Sequence, residues 1–300
     1  MASLREIRRK IKSVKSTEQI TKAMKMVAAA RMRRSQSAIL ASRPFAVKME
    51  QLVRGLAALE RASDVAAGRE VQIHEFFDER PQQGPVMLVL VTADKGLCGA
   101  FNSTLLRATV EWLRANQGRK IRLAVVGRKG RDFAHRIRGF DFEIETELIG
   151  IFPKVTFAHA ELLGRAVMDA YREKGLSGVT VLYNEFKSVA LQRLVSVPLL
   201  PIPDLGEPSA GVALPEYGFE PDRQELLGAL LPRYVKAQVY RILLESQAAE
   251  LAARMNAMDA ASKNAKELRE TLNLSANRQR QAIITKEIAE LVGGAEALAA

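Results

Sequence analysis

Residues 234–265 read YVKAQVYRILLESQAAELAARMNAMDAASKNA. Within them Tyr234, Ala237, Arg241, Leu244, Ala248, Leu251, Met255, Met258, Ser262 and Ala265 follow at alternating steps of three and four, and Leu230 extends the series backward. That alternation is the heptad period that keeps one stripe of an α-helix facing a partner helix. Arg241 is its one discordant member. Many of the other seam residues are small, which lets two helices approach closely but buries less per turn than leucine would. Pro221, Asp222 and Glu225 mark the start, as an N-cap followed by an acid three residues on. Pro232 falls within the first turns, where it predicts a kink.

The opposite end of the chain carries a second seam. Leu4, Ile7, Ile11 and Val14 lead to Thr17, Ile20, Met24 and Val27, with consecutive three-residue steps around Thr17 that predict a stammer. Arg43-Pro44 predicts an end or kink of this helix. Glycine is absent before Gly55 and between Gly228 and Gly293, and no proline follows Pro232. Gly costs about 1 kcal/mol and Pro about 3 kcal/mol inside a helix, so such flanks suit long helices. At about 1.5 Å per residue they would span roughly 75 Å and 100 Å. Two seams at opposite ends predict an antiparallel coiled coil. Met24, Met26, Met32, Met255 and Met258 are expected to fill it.

Between the flanks, breakers are frequent and the pattern changes. Residues 86–92 form a continuous apolar run of the kind found in buried strands, repeated at 121–126 and 179–183. Helical stretches at 103–115, 129–138 and 157–174 separate them, and 190–200 offers a further strand. The alternation predicts a βαβ, Rossmann-like domain with a mostly parallel sheet. The expected fold class is thus α/β plus long helices. Its expected layout is a coiled-coil helix over 1–57, a central α/β domain over 70–205, a linker over 206–221 and a second coiled-coil helix over 222–297.

Charge is unevenly placed. The chain holds 45 Lys and Arg against 34 Asp and Glu, for a net +11. Residues 1–54 carry fourteen of those cations and only Glu6, Glu18 and Glu50, so this segment alone accounts for the net charge. A localised basic segment predicts an acidic partner surface, a lipid surface or nucleic acid. The helical pattern runs well past the length of a transit peptide without a processing site, so the segment is expected to belong to the mature protein. No apolar run approaches the roughly 18 residues a membrane span needs. Cys98 is the only cysteine, which excludes an internal disulfide.

The chemistry-bearing residues do not assemble into a reaction. Thr92 to Asn102 follows a strand and opens a helix, but matches neither the dinucleotide nor the P-loop fingerprint. It reads as a tight strand-to-helix turn, as does Gly127-Arg128-Lys129-Gly130. His74, His135 and His159 are scattered without metal-ligand spacing. Glu143 and Glu145 alternate along a strand and are expected to face solvent. No catalytic residue, cofactor or metal is expected.

Two segments carry a specific resemblance. Ile11-Lys12-Ser13-Val14-Lys15-Ser16-Thr17, continuing through Ile20 to Ala29, and Ile284-Thr285-Lys286-Glu287-Ile288-Ala289-Glu290-Leu291-Val292-Gly293-Gly294-Ala295 resemble the terminal signatures of the F-type ATP synthase gamma subunits. Asp94-Lys95-Gly96-Leu97-Cys98-Gly99 and Glu245-Ser246-Gln247, with Ala252-Ala253-Arg254-Met255, also resemble that family, in the family's order along nearly the whole chain. The resemblance implies a non-catalytic central rotor shaft that couples proton-driven rotation to ATP synthesis or hydrolysis. The implied partners are a ring of alpha and beta subunits, the epsilon subunit and a ring of c subunits. Association with the membrane would be indirect, at the cytoplasmic face of a bacterial plasma membrane. Arg254, Arg280, Gln281, Thr285 and Glu287 would engage a beta subunit, and Lys22, Met24 and Lys25 would meet acidic beta-subunit loops. The alternative reading is a basic coiled coil that binds nucleic acid, for which stacking aromatics are lacking. An α/β enzyme using the Asp94–Asn102 loop is a further alternative that lacks its catalytic set.

Overall fold

The computed structural model describes residues 3–68, 73–78, 80–81, 83–152, 154–203 and 222–299. Two long helices, α1 (Leu4–Ala66) and α5 (Arg223–Ala299), flank a set of five strands and three shorter helices. By compactness the chain divides into a helical unit, Met1–Ala29 with Arg254–Ala300, and an α/β unit, Ala30–Ala253.

The α/β unit is built on a sheet of β1 (Val86–Val91), β2 (Ile121–Val126), β3 (Glu143–Leu148), β4 (Gly178–Phe186) and β5 (Gln192–Leu200), in the order β3-β2-β1-β4-β5. All pairings are parallel except β4 with β5, which is antiparallel. Strand β1 is buried along its whole length because both faces of the sheet are covered. Val86, Leu88 and Leu90 point into a core with α2 (Phe101–Ala115), whereas Met87, Val89 and Val91 point to a larger one. That larger core takes Leu163, Val167 and Tyr171 from α4 (Phe157–Glu173), Met49, Val53 and Leu56 from α1, and Leu231, Val235 and Leu243 from α5. The inner parts of both long helices are therefore packed into this unit. Residues 242–244 and 246–252 of α5 are buried on every face of the helix, which a two-helix seam alone would not produce.

The short helix α3 (Arg128–Ala134) begins at Gly127, whose φ is +89°. A Cβ there would stand 2.1 Å from the Thr92 carbonyl oxygen, so only glycine fits. The helix is locked to β1 through Thr92, whose hydroxyl donates to the Val126 carbonyl and accepts from the Gly130 N–H at 2.7 Å. The glycines of this turn are structural.

In the helical unit α1 and α5 run antiparallel. Lys25 pairs with Asp259 at 2.5 Å and Glu18 with Arg269 at 3.0 Å. Seam burial on α5 follows the expected register at Met258 and Ala265, with Met255 and Ser262 half-buried. The α1 register differs from the expected one. Ile7, Thr21 and Ala28 are buried, with half-buried Ile11, Val14, Glu18 and Lys25 at the intervening heptad places. Steps of four and three thus continue without a stammer. Ile20 and Val27 lie outside the seam, 56% and 52% exposed, and so does Met26 at 61%. Thr21 tolerates burial because its hydroxyl bonds back to the Thr17 and Glu18 carbonyls.

Other expectations are also corrected. Helix α1 passes through Pro44 and ends at Ala66 rather than near 57, held on the far side of the proline by buried Met49, Val53 and Leu56. Helix α3 stops at Ala134, shorter than the 129–138 stretch. Glu145 is only 21% exposed because it grips Arg122 together with the exposed Glu143, at 2.6 and 2.7 Å. The expected linker lies outside the described residues.

Candidate functional site

The Asp94–Asn102 turn holds loops together. The Asp94 carboxylate accepts N–H bonds from Arg128, Gly150 and Phe152, joining the turn after β1 to the start of α3 and to the loop after β3. Asn102 accepts from the Ala93 N–H and donates to the Lys95 carbonyl. Cys98 is buried, 3.2 Å from the Asn102 amide nitrogen. The three histidines are separately employed. His74 sits beside Phe76, with burial holding its pKa below the ordinary value. His135 lies 2.6 Å from Glu147. His159 closes a capping box with Thr156 at the start of α4. Among the described residues no cluster of His, Cys, Asp and Glu has the makings of a metal site.

The residues expected to meet a partner all fall in the helical unit, at two levels along α5. Lys22 is exposed, Met24 half-buried, and Lys25 half-buried against Asp259. Asp259 also binds Lys263 at 3.1 Å, and its pKa is lowered, first by the Lys25 hydrogen bond and then by that of Lys263. Lys25 is thus already committed within the helical unit. Arg254 is half-buried five residues before Asp259. Arg280, Gln281, Thr285 and Glu287 are all exposed. They begin 21 residues after Asp259, or about 32 Å along the helix. The eight residues therefore form two stations, not one cluster.

The second station belongs to a longer free segment. From the Lys25–Asp259 and Glu18–Arg269 pairs, Leu4 comes level with about residues 280–283 of an antiparallel partner. Beyond that level α5 continues, and every residue from 281 to 295 is exposed. The segment is not uniformly polar: Ile283, Ile284, Ile288, Leu291 and Val292 are among the large exposed apolar residues. Ile284, Ile288 and Leu291 stand at i, i+4 and i+7, one stripe of the helix. Such a stripe exposed at a helix end marks an interaction surface. Sequence reasoning placed Thr285 and Glu287 here only through resemblance. The apolar periodicity was available as an independent signal, and among the described residues nothing buries it.

Comparison with known proteins agrees with this arrangement. The family model described as ATP synthase matches residues 3–298. Proteins named ATP synthase gamma chain from Elusimicrobium minutum and Anaeromyxobacter sp. strain K are 42% and 45% identical to the chain. Each match covers 99% of this chain, and 99% and 100% of the respective relative. Among solved structures, a chain of the Tetrahymena thermophila mitochondrial ATP synthase central stalk and c-ring aligns with a TM-score of 0.58 at 27% identity, covering 81% of this chain and 99% of that one. A chain of the Euglena gracilis mitochondrial ATP synthase shares the fold, with a TM-score of 0.65 over 98% of this chain and 94% of that one, at 19% identity. With two long helices, a five-stranded α/β unit and a match along nearly the whole length, the chain belongs to the ATP synthase gamma-chain family.

Proposed function

We propose that this chain is the central rotor shaft of an F-type ATP synthase, turning inside a ring of alpha and beta subunits and carrying no catalytic residues of its own. The observation that carries the reading is the unpaired end of α5, residues 281–295, with an apolar stripe and the polar Arg280, Gln281, Thr285 and Glu287 all exposed. A lone helical tip of this kind gains stability only from a surrounding sleeve. In this reading the α/β unit meets the epsilon subunit and the ring of c subunits. Attachment to the membrane is then indirect, at the cytoplasmic face of a bacterial plasma membrane. No described helix is long and apolar enough to cross a membrane.

A shaft drives conformational change only by contacting open and closed beta subunits unequally. The exposed Lys22 supplies such a contact electrostatically. Met24 adds an adaptable apolar one. Lys25 contributes by exchanging Asp259 for an acidic loop as the shaft turns. Arg254 works at the same level, whereas Arg280, Gln281, Thr285 and Glu287 engage a beta subunit near the tip. Coupling through these contacts is reciprocal, so rotation shifts beta-subunit states and those states bias rotation. Reversing Lys22 and Lys25 to Glu in the assembled complex should lower the number of protons pumped per ATP hydrolysed. Unchanged pumping per ATP would contradict the placement of these residues. Nothing in the geometry favours nucleic-acid binding, since the basic helix shares its seam with α5.

A further inference from the structure

The α/β unit contains a cleft of about 670 Å³ in which α1, α5 and the start of α4 meet. Its walls carry three cations, Arg31, Arg34 and Lys154, and its lining includes no carboxylate. All three cations are exposed, and among the described residues none has an ion-pair partner. Some other cations of this unit are matched by glutamate, as Arg122, Arg172 and Lys236 are; what distinguishes the cleft is that three unmatched cations line one cavity. Arg31 and Arg34 stand at i and i+3 of α1, so both guanidinium groups leave the same side of the helix. The N-terminus of the 17-residue α4, capped by Thr156, opens into the same cleft and adds its partial positive charge. One further wall is aromatic. Phe157 meets Tyr240 edge to face, with ring centroids 5.6 Å apart, and remains 45% exposed.

Uncompensated cations repel one another and lower stability unless an anion joins them. Guanidinium groups are matched geometrically to phosphate oxygens. The cleft volume lies in the range of small-molecule sites, not of extended interfaces. We propose that this cleft binds a nucleoside polyphosphate. The phosphates would lie among Arg31, Arg34, Lys154 and the α4 N-terminus, and the base against the free face of Phe157. Ser35 and Gln247 also line the cleft, but they are already bonded to each other and to the Leu244 and Phe152 carbonyls. The charged groups therefore supply the recognition.

Isothermal titration of the full-length chain with ADP, pyrophosphate and adenosine tests this. ADP should bind with a Kd below about 1 mM, more tightly than pyrophosphate and far more tightly than adenosine, and its affinity should fall as salt is raised. The double variant Arg31→Ala/Arg34→Ala should weaken ADP at least ~10-fold. Phe157→Ala should weaken ADP and leave pyrophosphate unchanged. These side chains are exposed, so circular dichroism should show the fold retained. Absence of ADP binding at millimolar concentration, or ADP binding indifferent to both variants, would overturn the proposal. Pyrophosphate binding as tightly as ADP would remove the nucleoside and leave a phosphate site. An Asp/Glu-rich peptide that binds more tightly than ADP and displaces it would reassign the cleft to protein docking.

Discussion

The α/β unit and the helical unit each contain part of the same two long helices and are stabilised in different ways. In the α/β unit the buried side chains are large: Tyr171, Phe76, Leu88, Leu105 and Leu231 are each under 2% exposed, and α5 is surrounded on all sides over 246–252. In the helical unit the buried ones among the described residues are Ile7, Thr21, Ala28, Met258 and Ala265, and charged pairs flank them. Burial of apolar surface yields about 25 cal/mol per Å², so small and polar seam residues contribute little per turn. The first unit has the makings of an autonomous fold. The second is a surface held in shape by a thin seam, which suits a part that must present changing contacts to its surroundings.

That contrast is open to direct attack, and the largest expected effect is on the core. Phe76 is fully buried against Tyr171, with the Arg172 guanidinium over its ring at 4.7 Å. Phe76→Ala should destabilise the chain by about 3–5 kcal/mol in chemical denaturation. Ile7→Ala, in the helical seam, should move the same transition much less. Equal losses would show that the two regions share one cooperative core.

A smaller effect is expected at the Lys25–Asp259 pair. Lys25→Glu alone sets two carboxylates against each other. The exchange Lys25→Glu/Asp259→Lys restores an opposite-charge pair with the signs reversed. If Lys25 acts on a partner, proton pumping per ATP should remain impaired in the exchanged variant. Full recovery would mean that the lysine only fastens the two helices.

The smallest effect is a difference in pH response. Burial raises the pKa of Glu245, outweighing the opposing influence of Arg241 at 4.0 Å and of the Tyr183 hydroxyl, which donates to it at 3.0 Å; Glu185 and Lys187 also face it. A carboxyl with a raised folded-state pKa contributes stability that is fully present below its ordinary value and is lost as pH rises through the raised one. Asp259 behaves oppositely: its lowered pKa gives a contribution present above the ordinary aspartate value and lost on acidification. Denaturation midpoints followed from about pH 4 to 7 should therefore show a falling component that Glu245→Gln removes. A variant with the same pH profile as the parent chain would refute that assignment.

Much of the architecture was legible in the residues. The apolar runs at 86–92, 121–126 and 179–183 became the buried parallel strands, because strands covered on both faces need no alternation. The α5 seam was legible because its apolar members keep one period. The α1 seam was not, because Glu18, Thr21 and Lys25 occupy places that a search for apolar residues passes over, while Ile20 and Val27 attract it outward. Thr21 is buried through hydroxyl bonds to its own helix, and Lys25 is half-buried through Asp259, 234 residues away; neither is visible in local spacing. Pro44 does not end α1 for a related reason: packing beyond the proline outweighs the local cost. Of the candidate site, the exposed apolar stripe at Ile284, Ile288 and Leu291 was readable from periodicity. The division into two stations required the Lys25–Asp259 pair, which sets Lys22, Met24 and Lys25 near the level of Arg254 and far from the tip.

The central claim is tested most directly by co-expressing the chain with alpha and beta ATPase subunits and measuring the composition and ATPase activity of the purified complex. The shaft account predicts one copy of this chain per ring of alpha and beta subunits, and activity that falls when residues 281–300 are removed. Failure of a folded, full-length chain to join the ring, or activity indifferent to that deletion, would contradict it.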